Sequence, residues 1–244
     1  AERRFDAWWA MMSYMVFPIV LLRIIGVRPP YVLTLEEGDP FEYVYGRAHI
    51  RFFEPLLRWG FRHASAVHAE STFLGTWARQ WGFQGPLEVI PNGMDAERFK
   101  QMPPSELLEI IRTKIGKRGG ETWLIHTGRL VHKNALDVCI RVLPILPEQV
   151  HLFMLGDGPD KEMLAELADE LGVSARVHFH PYVSIEEVPN YLKSCDIFIR
   201  PSRSEGMGNA FIEALAAGLP VVGTPVEGVL DIIEDGKTGL FAAV

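Results

Sequence analysis

From residue 31 onward, short apolar runs alternate with longer segments in which apolar residues have helical spacing. The short runs show no clean polar alternation, which is typical of strands buried on both faces of a parallel sheet. Strands are predicted at residues 31–34, 66–68, 87–90, 122–127, 151–155, 176–179, 196–199, 221–223 and 240–242. A repeated order of strand and helix predicts an α/β fold built on doubly wound parallel sheets.

Helices are predicted between these strands, at residues 47–63, 71–81, 105–115, 134–146, 161–171 and 209–217. Ser184 and Glu187 have the spacing of a capping box, which predicts a further helix from Ser184 through about residue 192.

Residues 91–120 are rich in turn signals, which include Pro91-Asn92-Gly93, Pro103-Pro104 and Gly119-Gly120. The net charge also changes sign at this point, from +2 over residues 1–120 to −9 over residues 121–244. We therefore predict two domains, residues 1–103 and 121–244, joined by a linker region at 104–120. Two such domains would face each other across a ligand-binding cleft at the carboxyl ends of their strands.

The net charge of −7 gives no global attraction for nucleic acid, so no nucleic-acid partner is predicted. The two cysteines, Cys139 and Cys195, form no C-x-x-C pair and lie among apolar residues. This pattern predicts that both cysteines are buried core residues. Such cysteine usage is typical of a reducing compartment, so we expect a cytoplasmic protein. Because residue 1 is Ala and residues 238–244 would begin a strand, we also expect the chain to be truncated at both ends.

Residues 7–22 carry no charge and are flanked by Arg3, Arg4, Arg23 and Arg28. The stretch is shorter than the roughly 20 apolar residues of a membrane span, and Ser13 and Pro18 interrupt it. The helical spacing of its large residues favours a mostly buried helix. A helix lying at the inner membrane interface, giving peripheral membrane contact, and a true span remain alternatives.

Several familiar sites are excluded by their patterns. Gly236-Lys237-Thr238 resembles the end of a P-loop, but Asp231 stands where that motif needs its first glycine. In the segment Gly156-Asp-Gly158, Lys161 replaces the third glycine of the dinucleotide fingerprint. Neither H-E-x-x-H nor Asp-x-Asp occurs, so no metal site and no cofactor are predicted.

Two segments carry the chemistry that remains. In the first, a polar loop containing Glu205 follows a predicted strand, Gly206 and Gly208 precede a helix, and Glu213 lies just over a turn inside that helix. Glycines allow close backbone approach to a ligand, a helix start offers N–H groups to an anion, and buried carboxylates accept hydroxyl hydrogen bonds from a polyol.

The second segment is Gly128-Arg-Leu-Val-His-Lys133, which follows the strand at 122–127. Arg129 can act as a bidentate fork and Lys133 as a point charge on a diphosphate. Neutralising a diphosphate leaving group would lower the barrier to its departure without a metal ion. A surface ion pair is an equally good interpretation of these two cations alone.

Taken together, the chain resembles the retaining family-4 glycosyltransferases of the GT-B fold, also called glycosyl transferases group 1. The resemblance rests on Glu205-x7-Glu213, the loop Gly128–Lys133, Leu155-Gly-Asp-Gly-Pro159 and Val89-Ile-Pro-Asn-Gly-Met-Asp-Ala-Glu-Arg-Phe99, in the family's order. It implies two Rossmann-like domains facing a cleft, and no cofactor beyond a nucleotide-diphosphate sugar as donor.

The resemblance also implies residue roles. Arg129 and Lys133 would hold the donor diphosphate, with Gly128 in the same loop, while Glu205 would contact the donor sugar and Glu213 the ribose. Arg129, Lys133 and Glu205 are thus the predicted catalytic residues. Other predicted donor contacts are the main-chain amides of Gly206, Met207, Gly208 and Asn209, with Tyr182 flanking the base.

The implied reaction transfers a sugar with retention to a hydroxyl of a saccharide or lipid-linked acceptor, in polysaccharide or glycolipid synthesis. Glu36 and Glu37 stand where many relatives carry a histidine near the acceptor, so no acceptor-side catalytic residue is assigned. The alternatives are a non-catalytic nucleotide-sugar binding module, a nucleotide-sugar epimerase of the same fold, and a membrane-anchored structural protein.

Overall fold

The computed structural model describes residues 5–39 and 41–242, and the chain divides into two compact units. The first unit runs to Asn92 and includes Ser204–Met207, while the second consists of Gly93–Arg203 and the chain from Gly208 onward. Each unit contains one parallel sheet with helices between its strands, which confirms the predicted α/β class. The predicted domain limits at residues 103 and 121 stay predictions.

In the described part of the first unit, a four-stranded sheet packs with five α-helices. Its strands are β1 (Trp8–Met11), β2 (Tyr31–Leu35), β3 (Ala66–Ala69) and β4 (Leu87–Val89), in that order across the sheet. Its helices are α1 (Val16–Ile24), α2 (Phe41–Tyr45), α3 (Ala48–Phe52), α4 (Glu54–Arg62) and α5 (Thr72–Gln80). Leu33 of β2 lies in one buried cluster with Val16 of α1, Leu57 of α4 and Leu74 of α5.

One face of this first sheet is more open than predicted. Trp9 of β1 is 69% exposed and Val32 of β2 is 36% exposed, whereas Leu33 and Leu35 are fully buried. Alternate residues of a strand point to opposite faces, so the described helices cover mainly one side of this sheet. The expectation of burial on both faces therefore fails at Val32 of β2, although Thr34 on the same face is buried; β1 was not among the predicted strands.

Residues 7–22 do not form a single helix, so that prediction is wrong. The first part is strand β1, which pairs in parallel with β2 from Trp8 opposite Tyr31 to Met11 opposite Thr34. A short 3₁₀ turn at Ser13–Met15 separates this strand from α1. In the part of the chain that the structure describes, each helix is too short or too polar to cross a membrane.

The second unit, as far as residue 242, contains six strands and six α-helices. Its strands are β5 (Thr122–Thr127), β6 (Val150–Leu155), β7 (Val177–His180), β8 (Ile197–Arg200), β9 (Val221–Gly223) and β10 (Leu240–Phe241). Their spatial order is β10-β9-β8-β5-β6-β7. The helices are α6 (Ala96–Lys100), α7 (Ser105–Ile115), α8 (Leu136–Val142), α9 (Lys161–Glu170), α10 (Val188–Ser194) and α11 (Asn209–Ala216).

This second sheet is buried on both faces, as its sequence predicts. Trp123 and Ile125 of β5 lie in one apolar cluster, whereas Leu124 between them lies in another. Cys195 belongs to the first cluster and Cys139 to the second, and both are free thiols. The period of two along β5 thus divides the core into two layers, one on each side of the sheet.

Three prolines explain where the predicted helices were too long. Pro55 splits the helix predicted at 47–63, because inside a helix its ring would clash with the carbonyl of Arg51; instead it occupies the first turn of α4. Pro144 ends α8 in a 3₁₀ turn for the same reason.

Pro189 lies in the first turn of α10, so that helix begins at Val188 rather than at Ser184. Ser184 N–H still donates to Glu187 Oε2 at 3.3 Å, but as part of a turn.

A buried histidine in the second unit, His126, changes its affinity for a proton when the chain folds. His126 of β5 is fully buried, and burial first, then the nearby Arg200 guanidinium, hold its pKa well below the usual value. The unfolded chain therefore binds a proton below a pH of about 6.5 that the folded chain does not bind. Acidification below a pH of about 6.5 therefore destabilises the fold, until the pH reaches the lowered pKa of the folded state.

We predict that lowering the pH from 7.5 to 5.5 costs the His126→Gln variant about 1.4 kcal/mol less free energy of unfolding than it costs the wild-type protein. The measurement is urea unfolding at the two pH values, with His63→Gln on the exposed surface as control. Carboxyl groups titrate in every variant, so the difference isolates His126. An equal pH dependence in all three proteins would contradict the prediction.

Candidate active site

The candidate site is built at the carboxyl edge of the second sheet. Strands β5 and β8 are neighbours there, in a parallel register that places Leu124 opposite Ile197 and Ile125 opposite Phe198. The loops that follow these strands therefore leave the sheet side by side. One carries Arg129 and Lys133, and the other leads to Glu213.

The loop after β5 presents two cations. Arg129 is exposed and Lys133 is half-buried, and the loop ends in a 3₁₀ turn at His132–Asn134 just before α8. The Asn134 side chain donates from Nδ2 to the carbonyl oxygen of Arg129 at 2.6 Å. This bond joins the two ends of the loop and restricts the backbone from which the Arg129 and Lys133 side chains project.

The glycine segment after β6, Gly156–Gly158, packs against the backbone of the loop Gly128–Lys133, which we call the cationic loop. A Cβ atom on Gly156 would overlap the carbonyl oxygen of Gly128, and one on Gly158 would overlap that of Leu130. Leu130 N–H donates to the Asp157 carbonyl oxygen at 2.9 Å. Gly-Asp-Gly, which fails as a dinucleotide fingerprint, thus serves here as the surface on which the cationic loop rests.

The loop after β8 ends at Gly208, which has φ of 86°, a left-handed value that favours glycine. Helix α11 begins at the next residue, the exposed Asn209, and no side chain caps it. Its first main-chain N–H groups are therefore not occupied by a capping side chain, which suits an anion. Glu213 is half-buried in the second turn of this helix.

Glu205, Gly206 and Met207 belong by their contacts to the first unit. Ser204 Oγ donates to the Gly38 carbonyl oxygen at 3.2 Å, and Asn92 N–H donates to Met207 Sδ at 3.3 Å. A Cβ atom on Gly206 would overlap the Glu37 carbonyl oxygen, so only glycine fits there. Glu205 itself is half-buried.

Electrostatics single out a residue that the sequence analysis missed. Burial raises the pKa of the Glu213 carboxyl, and the positive charge of Arg200 partly offsets that rise. Arg200 is 7% exposed at the end of β8, and its Nη2 donates to the Thr127 carbonyl oxygen at 2.5 Å. A charged residue at the end of a predicted buried strand was the available signal. Arg200 adds a buried positive charge beside the edge that carries Arg129.

Tyr182 lies farther along the same sheet, after β7. Its side chain is 58% exposed, and its hydroxyl donates to the Asp157 carbonyl oxygen at 3.0 Å. Strand β6 lies between β7 and β5 in the sheet. Leu130 N–H donates to the same Asp157 oxygen, so Tyr182 lies where the glycine segment meets the loop that carries Arg129. Its role toward a base stays a prediction.

Glu37 of the first unit has a structural role. Glu37 is 3% exposed, and its carboxylate accepts hydrogen bonds from Ser13 N–H at 2.5 Å and Glu36 N–H at 3.1 Å. The bond from Ser13 connects the ends of β1 and β2.

Among residues 5–39 and 41–242, no three His, Cys, Asp or Glu side chains are grouped as metal ligands would be.

Curated relatives of known description cover much of the chain. The chain is 32% identical over 200 residues to the GDP-mannose-dependent alpha-(1-6)-phosphatidylinositol monomannoside mannosyltransferase of Mycolicibacterium smegmatis, covering 76% of this chain and 52% of that protein. It is 30% identical to the alpha-monoglucosyldiacylglycerol synthase of Acholeplasma laidlawii, covering 64% and 40%. The chain thus spans about half the length of these relatives.

Solved structures show the same fold. The Anabaena protein HepE in complex with UDP-glucose superposes with a TM-score of 0.81 at 25% identity, covering 98% of this chain and 65% of that one. Sucrose-phosphate synthase of Thermosynechococcus elongatus gives 0.81 at 19% identity, covering 97% and 60%. The GT-B class expected from the sequence is confirmed.

Family models account for both units. Residues 1–93 match the glycosyl transferase 4-like domain, and residues 109–244 match the glycosyl transferases group 1 model. The second match alone covers more than half of the chain and includes the cationic loop and Glu213. The chain belongs to the glycosyl transferases group 1 family.

Proposed function

We propose that the protein is a glycosyltransferase that moves a sugar from a nucleotide-diphosphate sugar to a hydroxyl acceptor. The observation that carries this proposal is the adjacency of β5 and β8, which brings the Arg129 and Lys133 loop beside the loop that leads to Glu213. Cations suit a diphosphate, and a carboxylate suits the hydroxyl groups of a ribose or a sugar. Family membership supports the same activity.

Each residue has a proposed role in holding the donor. Arg129 and Lys133 bind the diphosphate, and the uncapped start of α11 at Gly208 and Asn209 contributes main-chain N–H groups. Glu213 accepts hydrogen bonds from the ribose, and Glu205 from the sugar. Amides of Gly206 and Met207 line the sugar, and Tyr182 flanks the base.

The proposed transfer proceeds with retention. The bond between the sugar C1 and the diphosphate oxygen breaks, and the acceptor hydroxyl bonds to C1 from the same face. The acceptor proton passes to the departing diphosphate, so no enzyme nucleophile takes part. Arg129 and Lys133 neutralise the charge that develops on the leaving group, which a metal ion does in other sugar transferases. We therefore expect activity that withstands a chelator.

Acceptor and location follow from the relatives and the first unit. The names of the M. smegmatis and A. laidlawii relatives contain a lipid substrate and a lipid product, which supports a saccharide or lipid-linked acceptor here. We also propose a cytoplasmic protein that touches the inner membrane face through residues 7–22. Trp9, Tyr14 and Leu21 are exposed in this segment, and the exposed Arg28 follows it. Arg3 and Arg4 lie outside the described residues.

The alternatives differ in turnover. A non-catalytic binding module would keep the phosphate contacts and show no transfer, while an epimerase would change the sugar of the donor without an acceptor. Incubating the protein with a nucleotide sugar, with and without acceptor, and following the sugar and the released diphosphate separates all three outcomes.

Truncation of Arg129 tests the diphosphate site. We expect Arg129→Ala to weaken binding of UDP or GDP by about one to two decades, since a hydrogen bond to a charged group contributes roughly 1.5–3 kcal/mol. Calorimetric titration measures the affinities. Arg141→Ala, an exposed arginine on α8, is the matched control. Equal affinity of Arg129→Ala and wild type would remove the diphosphate assignment.

Ribose recognition by Glu213 is tested with an isosteric change. Glu213→Gln should weaken binding of the ribonucleotide by about tenfold or more, yet leave binding of its 2′,3′-dideoxy analogue unchanged, because only the ribose hydroxyls donate to the carboxylate. Glu166→Gln on the exposed face of α9 serves as control. A loss of the same size for both nucleotides would contradict the ribose role.

Membrane contact is tested with vesicles. We expect the protein to sediment with anionic vesicles more than with neutral ones, and Leu21→Asp to reduce that binding, because a charge at an exposed apolar position opposes insertion into the interface. Ile145→Asp, at an even more exposed apolar site in the second unit, should bind as wild type does. Equal sedimentation of Leu21→Asp and wild type would contradict the contact through residues 7–22.

A further inference from the structure

Arg203 connects the two loops of the candidate site within the second unit. Its main-chain N–H donates to the carbonyl oxygen of Lys133 at 2.7 Å. Its Nη1 donates to the carbonyl oxygen of His132 at 2.5 Å. One residue of the loop after β8 thus binds two successive carbonyls of the loop after β5.

The same guanidinium is held by a carboxylate. Arg203 Nη2 lies 2.9 Å from Asp137 Oδ1 and 2.8 Å from Oδ2. Asp137 lies in the first turn of α8 and is half-buried, as is Arg203. Burial alone would raise the pKa of Asp137, but its hydrogen bonds and charge interaction with Arg203 lower it. The two side chains therefore form a stable pair at the start of α8.

These bonds orient the backbone that carries the cations. The carbonyl oxygens of Arg129, His132 and Lys133 accept hydrogen bonds, the first from Asn134 and the other two from Arg203. A carbonyl oxygen is the negative end of the peptide dipole and would repel a phosphate. With these oxygens bound to Asn134 and Arg203, the loop offers an anion its side-chain cations instead.

We propose that Arg203, anchored by Asp137, is a positioning residue that fixes Arg129 and Lys133 for the donor diphosphate. The proposal rests on the proposed function, because it assumes that these two cations bind a diphosphate. Arg203 acts through the backbone of Lys133 and His132. Its contribution should therefore appear only for ligands long enough to reach both cations.

The decisive variant is Arg203→Lys, because lysine keeps the positive charge and the main-chain bond but loses the fork that binds Asp137 and His132 together. We expect its affinity for UDP or GDP to fall about tenfold, because binding depends on the exact placement of the charged groups. Affinity for UMP or GMP, which lack the second phosphate, should change less than about twofold by the same reasoning. Asp137→Asn should show the same selectivity.

Arg176→Lys is the matched control. Arg176 is also a half-buried arginine of the second unit that donates to main-chain carbonyls, at Leu143, Leu146 and Pro147, but it lies away from both loops. It should lower stability without changing either affinity. Urea unfolding of every variant is measured alongside, so that a folded protein is titrated in each case; Asp137→Asn replaces Arg203→Lys if the latter does not fold.

Hydrogen exchange of the amides in residues 129–134 gives a readout that needs no nucleotide. Faster exchange there in Arg203→Lys, together with the selective loss of diphosphate affinity, supports the proposal. Equal loss for mono- and diphosphates, or no loss while Arg129→Ala weakens UDP binding, overturns the proposal and leaves the proposed function intact. If Arg129→Ala binds every nucleotide as wild type does, the proposed function fails and this inference fails with it.

Discussion

The parallel pairing of β5 with β8 is the constraint on which the candidate site depends. These strands are far apart in the chain, yet their register places Leu124 beside Ile197 and directs the two following loops to the same edge. Arg203 then connects the loops through the Lys133 carbonyl. Without this pairing, the loop with the two cations and the helix with Glu213 would not be brought to one edge of the sheet.

Close backbone packing holds the loop with Arg129 and Lys133 in one conformation. The cationic loop rests on the segment after β6, and Gly156 and Gly158 leave no space for a Cβ atom at that contact. The loop is therefore enclosed by backbone on one side and by Arg203 on another. A charged ligand gains most from groups that are already in place, since little conformational freedom is then lost on binding.

The charge of the second half of the chain is also distributed unevenly. Residues 121–244 carry a net charge of −9, but the carboxyl edge of their sheet presents Arg129 and Lys133 and encloses Arg200. An acidic surface with a local cationic site discourages general binding of polyanions and still attracts a short one. Composition alone describes the surface, while the placement of a few arginines decides what the site attracts.

Much of the fold was predictable because the strands of the second unit are apolar on both faces, and β5 and β9 were predicted at the bounds they have. Errors arose where local pattern and covalent geometry compete. The spacing of the large residues in 7–22 favoured a helix, but pairing with β2 makes the first part of this segment a strand. At Pro55, Pro144 and Pro189 the pattern was helical, but the proline ring limits the helix.

By itself the sequence determined the strand and helix order, the two-domain α/β class and the loops that carry Arg129, Lys133 and Glu213. Those features depend on neighbours in the chain, which a single sequence displays. Only the tertiary structure decided that Arg200 is buried beside the site, that Arg203 pairs with Asp137, and that Gly156 supports the cationic loop. Each depends on contacts between segments distant in sequence, and strand pairing across the sheet creates those contacts.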